Sequence, residues 1–224
     1  MKKKSLLFFI CYLLFAPTAR AVDIATDVAD PLYIEKLGDF TSETSLDVGR
    51  FFQVREIVGY GFSNRFSVAA DIRYKVDSDN NTNGFSSLGI RGIYRVGQGG
   101  TGTTDILVGL GFGGQGIVPD YSDEVYGVGV RTGKQWNGMT LSATVMTNWI
   151  FDKVAGMAYI DLTPEVYFRI RGDWSFGLGA TLRKATSTNF DQEWLNARLG
   201  TTVGYTGWFM NVGYEVESKD FRIG

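Results

Sequence analysis

The sequence predicts an all-β protein, an antiparallel transmembrane β-barrel of ten to twelve strands behind an N-terminal signal peptide. Three observations predict it. Residues Met1–Ala21 have the build of a secretory signal. Nearly everything from Ser63 onward alternates polar and apolar residues between turns, the period-two signature of strands. One resulting face carries no charge between Phe66 and Val216, whereas the other collects acids and bases. A charge facing lipid at mid-depth costs roughly 2–4 kcal/mol, so a clean face suits a bilayer.

The leader opens on Lys2, Lys3 and Lys4, continues through the apolar run Leu6–Ala16, and ends on Ala19-Arg20-Ala21, which fits small-x-small cleavage. The run is too short to span as a helix. Cleavage near Ala21 is therefore the expectation. Cys11, the sole cysteine, lies inside the apolar run rather than after it, which disfavours a lipid-anchored reading. Residues 22–42 are mixed and acidic, with Pro31, and read as a periplasmic arm or the approach to the first strand. The barrel occupies 43–224. Its first part, Glu43–Phe62, is either one long strand or a hairpin turning near Gly49-Arg50.

Beyond Ser63 the elements follow in order. Phe66, Val68, Ala70, Ile72 and Tyr74 oppose Ser67, Asp71, Arg73 and Lys75, and a polar loop spans Asp77–Gly84. Leu88, Ile90, Tyr94 and Val96 oppose Arg91 and Arg95, before a glycine turn over Gly97–Thr103. Ile106, Val108, Leu110 and Phe112 oppose Asp105, and a loop follows over Gly113–Ser122. Tyr126, Val128 and Val130 oppose Arg131, and Lys134–Gly138 turns through Asn137-Gly138, a hairpin dipeptide. Leu141, Val145 and Trp149 oppose Thr140, Ser142 and Thr144, with a loop over Asp152–Gly156. Ile160, Leu162, Val166 and Phe168 oppose Asp161, Glu165 and Arg169. After Arg171-Gly172-Asp173, Phe176, Leu178 and Leu182 oppose Thr181 and Arg183, with a loop over Ala185–Gln192. Leu195, Leu199 and Val203 oppose Arg198, and Trp208, Met210, Val212 and Tyr214 oppose Glu215 and Glu217. Strands of this length, about ten or more residues, match tilted spanning strands rather than the shorter strands of soluble sheets.

A soluble barrel also alternates, with its apolar face inward. The polar face here is rich in Gly, Ser and Thr, and aromatics gather at two depths, as in an interfacial belt. One set is Tyr60, Phe62, Phe66, Tyr94, Trp136, Trp174, Phe176, Tyr205 and Trp208; the other is Tyr74, Phe85, Phe112, Trp149, Phe151, Tyr159 and Trp194. Backbone in lipid must be fully paired, so the sheet must close.

Composition narrows the chemistry. The leader carries Lys2, Lys3, Lys4 and Arg20 and no acid, so the remainder holds 18 of the 22 Lys and Arg against all 24 Asp and Glu. That acidity disfavours nucleic acid, which wants a basic face. The chain has no histidine, the commonest general base and metal ligand. No disulfide, thiolate metal site or cofactor site is expected beyond the leader.

Three short motifs carry less than their spelling. Gly111–Gly116 spells GxGxxG, but a strand rather than the required helix follows. Arg171-Gly172-Asp173 reads as a tight polar turn, and Asn80-Asn81-Thr82 as a plain loop. Asp161 and Glu165 share a face, yet so do Arg169, Arg183 and Arg198, which favours a salt-bridged lumen over paired-carboxylate catalysis.

The stretch GYGFSNRFSVAADIRY (59–74) resembles the strand–turn–strand of small bacterial outer-membrane barrels of porin-like or transporter-like type, and the pattern extends over 43–217. The resemblance implies an outer-membrane location, contact with outer-membrane lipid, assembly by the barrel-insertion machinery, and no enzymatic activity. The barrel enzymes of that kind use histidine. Asp71, Arg73, Arg91, Arg95, Asp105, Arg131, Asp161, Glu165, Arg169, Arg183 and Arg198 are the candidate lumen-lining residues. Two functions follow: a narrow pore or carrier for small solutes, or a largely closed structural or adhesive barrel acting through its outer loops. Long and short connections alternate, which puts Ser63–Arg65 on the periplasmic side and sends Trp208–Val216 outward. Eleven full strands and a stub near Asp220–Ile223 are then expected, from a reading frame that continues. The rival is a complete ten-strand barrel whose last strand pairs directly with the first.

Overall fold

In the computed structural model, the residues described are 28–48, 52–77, 82–99, 102–113, 124–136, 138–151, 157–170, 174–185, 195–205, 208–215 and 221–223. The strands are β1 (Phe40–Val48), β2 (Phe52–Ser63), β3 (Phe66–Asp77), β4 (Thr82–Gly99), β5 (Gly102–Gly113), β6 (Glu124–Trp136), β7 (Met139–Phe151), β8 (Met157–Arg169), β9 (Trp174–Ala185), β10 (Leu195–Tyr205), β11 (Trp208–Glu215) and β12 (Phe221–Ile223). Each pairs antiparallel with its chain neighbour, and β12 also pairs with β1, so the sheet closes into a barrel.

Glu43–Phe62 is a hairpin: β1 and β2 pair from Phe40↔Tyr60 to Val48↔Phe52. The short β12 bridges the seam, placing Ile223 between Leu46 of β1 and Val212 of β11. The direct pairing of β11 with β1 that a ten-strand barrel needs does not occur among the described residues. Toward the other end of the seam, Asn211 Nδ2 donates to Glu43 Oε1 at 3.3 Å.

The pleat sends alternate side chains out and in. The outer wall exposes Ile72, Ile90, Val108, Leu110, Val128, Val145, Ile160, Leu162, Leu178 and Leu199. The wall is not free of charge, contrary to the sequence expectation. β6 runs on past Gly133 to Trp136, which puts Lys134 on an outer position, and Lys184 occupies another near the end of β9. Both sit at strand ends, where a long side chain reaches the polar interface; Lys134 Nζ lies 5.2 Å from the Trp136 ring centre. Glu56 also faces outward, and accepts from Ser42 Oγ (2.6 Å) and Thr44 Oγ1.

At the end bearing the short turns, rings meet around the wall: Tyr60 with Phe62 at 5.0 Å, Phe62 with Phe66 at 5.9 Å, and Trp174 with Tyr205 at 4.8 Å. Tyr159 is not part of the opposite belt. Its parity turns it inward, where the Arg183 guanidinium lies 4.2 Å over its ring. Phe151 and Trp194 fall outside the described side chains, as does the leader. In the β6–β7 hairpin, Gly138 takes the positive φ (+86°) that its dipeptide foretells.

Candidate functional site

Inward positions on adjacent strands fall into rows, and the rows build the lumen. Arg95 of β4, Asp105 of β5 and Arg131 of β6 are cross-strand neighbours. Asp105 is wholly buried and takes Arg95 Nε at 2.8 Å and Arg131 Nη2 at 2.6 Å. A buried carboxylate survives only with such partners. One row further from the short turns lie Ile93, Leu107, Gly129 and Met146. The next holds Arg91, Gly109, Gly127, Asn148 and Tyr159.

Further ion pairs among the described residues flank these rows: Asp161 and Arg183 continue the row of Met146, and Asp71 stands one row beyond Arg91. Asp71 accepts from Arg55 Nη2 (2.6 Å) and Arg73 Nη2 (2.9 Å). Asp161 accepts from Arg183 Nε at 2.6 Å. Glu165 takes a weak bond from Ser142 Oγ at 3.4 Å. Arg91 reaches the lumen without a carboxylate partner among the described residues. Arg169 is exposed at the short-turn end of β8, next to the β8–β9 connection. The backbone of Arg198 lies on β10 opposite Thr181 and Glu215, and its side chain is outside the described set.

Two charged strand residues outside the sequence's candidates join the site. Arg55 and Glu43 sit on β2 and β1, where the alternation is hard to read. Outward Glu56 interrupts the apolar face of β2, and outward Ser42 and Thr44 interrupt that of β1.

A chamber of about 350 Å³ is lined by Arg55, Asp71, Arg73, Arg91, Asn148 and Tyr159, three guanidiniums to one carboxylate. Glycines at 89, 109, 111 and 127 hollow the wall beside Arg91. A larger space of about 710 Å³ adjoins it and reaches Asp30, Glu35, Glu43, Asp161 and Glu165.

The segment 28–39 does not trail outside the barrel. It runs through the lumen at the short-turn end, with Leu32 (0% exposed) and Ile34 (5%) buried, before entering β1. The Tyr33 hydroxyl is pushed up to about 12, chiefly by burial and further by Asp39 and Glu35.

Among solved structures, a NanC porin in a rhombohedral crystal form aligns with a TM-score of 0.66 at 11% identity, over 82% of this chain and 97% of that one. A KdgM porin aligns at 0.59 with 12% identity, over 81% and 95% of the two chains. The KdgM porin in complex with disordered oligogalacturonate aligns at 0.58 with 12% identity, over the same shares of 81% and 95%. No family model and no curated protein matches the sequence. At these identities the likeness is one of fold, and the fold is that of a porin-like antiparallel β-barrel.

Proposed function

We propose that the chain is a bacterial outer-membrane pore for small polar solutes with a preference for anions, exported by cleavage near Ala21 and inserted by the barrel-assembly machinery. The observation that carries the preference is the chamber with Arg55, Arg73 and Arg91 facing a single carboxylate, Asp71. Charges in a confined, low-dielectric-walled space focus the field and concentrate counter-ions. The resemblance to a KdgM porin seen with oligogalacturonate, a carboxylated oligosaccharide, supports the same direction. The apolar outer wall and ringed turn end support the membrane location. A conduit needs no catalytic base, and the chain has no histidine to supply one.

Planar-bilayer recording under a salt gradient tests this. The reversal potential should show anions carrying more current than cations. A cation-selective pore would refute the preference, and an absence of current under every condition would favour the largely closed barrel. That second reading has one structural support: the segment 28–39 occupies the short-turn mouth.

A further inference from the structure

We propose that residues 28–37 are a seated plug that gates the barrel, held by the Arg95–Asp105–Arg131 cluster and released by a swing about Gly38. The inference rests on the pore reading and adds its regulation. Three features show that the seat is built for the segment rather than incidental to it.

The first is backbone recognition. Two guanidiniums take three successive carbonyls: Arg131 Nη1 donates to Pro31 O (2.8 Å), Arg95 Nη2 to Leu32 O, and Arg131 Nη2 to Tyr33 O (3.1 Å). Asp105 holds both side chains in place for this. The Asp30 carboxylate adds a bond from Thr140 Oγ1 at 2.7 Å.

The second is an apolar seat inside a polar lumen. Ile93 and Leu107 face inward, where lumen water would otherwise wet them, and they cluster with Ile34 and Met146. Without the segment this patch has no reason to be apolar.

The third is missing side chains. A Cβ on Gly61 would lie 1.8 Å from the Lys36 carbonyl oxygen, and one on Gly133 would meet both Leu32 Cδ2 at 2.7 Å and the neighbouring strand's Leu141 carbonyl at 2.6 Å. The wall is cut away where the segment passes.

The seat is also releasable. Its polar bonds run mainly from guanidinium to carbonyl, with Thr140 Oγ1 to Asp30 and Leu37 N to Asn64 Oδ1 beside them, and water can replace each partner. Only Leu32 and Ile34 of the segment are buried apolar side chains. The junction to β1 is Gly38, at φ +84°, a residue free to change φ with no side chain to crowd the turn; its N–H donates to Gly61 O at 2.9 Å, so release breaks that bond as the chain turns.

The test uses a Cys11→Ser background, which leaves no native thiol. Ile34→Cys is combined with Leu107→Cys or with Ile93→Cys, and cross-linking is read on non-reducing gels. Oxidation should abolish the bilayer current, and dithiothreitol should restore it. A second variant, Gly61→Val, should expel the segment. It should conduct persistently, and trypsin should cut after Lys36 in barrels that still shift on unheated gels. Failure of either pair to cross-link, or a cross-linked barrel that conducts like the reduced one, overturns the gate and leaves the pore standing. Folded Gly61→Val barrels that are cut at Lys36 yet pass no current refute the pore reading, and the gate with it.

Discussion

The Arg131 guanidinium meets the fully enclosed Asp105 carboxylate at 2.6 Å, and its other edge holds the backbone of Pro31 and Tyr33. One carboxylate thereby ties wall and plug together. Asp105→Asn would leave Arg95 and Arg131 buried without a counter-charge. Removing one partner of such a buried set costs roughly 3–5 kcal/mol. Urea unfolding in vesicles should show that loss. Asp161→Asn should cost less, because Arg183 is about a third exposed (34%).

Val128→Arg and Leu178→Arg put a cation on the outer wall, where these positions are 50% and 47% exposed. Each should lower bilayer stability by roughly 2–4 kcal/mol if near mid-depth. Thr144→Arg faces the lumen, opposite Arg131 across the β6–β7 ladder, and should be tolerated better. Equal effects of the three on refolding yield would show the faces to be reversed.

Selectivity should respond to Arg91 before Arg131. Arg131 is engaged by Asp105 and the plug, whereas Arg91 presents its charge to the chamber. Arg91→Glu should move the reversal potential toward cation selectivity, and Arg131→Gln should act mainly on the open fraction. An unchanged reversal potential in Arg91→Glu would remove this residue from the conduction path.

The Tyr33 hydroxyl links plug seating to alkaline pH. Seated, it holds its proton up to about pH 12; released, it titrates near the ordinary tyrosine value of about 10. The released state therefore binds fewer protons between these values. Its contribution to seating is fully present below about pH 10 and is lost as pH rises through 12. Open probability should climb across that window in the native chain, with a smaller climb in Tyr33→Phe. Identical pH profiles would disprove the linkage.

Parity was legible in the sequence because the pleat has a period of two and lipid tolerates little charge. Asp71, Arg91, Asp105, Arg131, Asp161 and Arg183 could be assigned to one face from residue order alone. Parity does not give partners. That Asp105 serves both Arg95 and Arg131, while Arg91 is left facing the chamber, depends on cross-strand register, which only the closed sheet decides. Where function breaks the alternation, the sequence reading fails. Outward Glu56 blurred β2 and hid Arg55. The plug has no period at all, since its order comes from guanidiniums and glycine hollows contributed by β2, β4 and β6. A segment held by its carbonyls leaves little trace in its own side chains, so only the tertiary structure could place Leu32 and Ile34 inside the barrel.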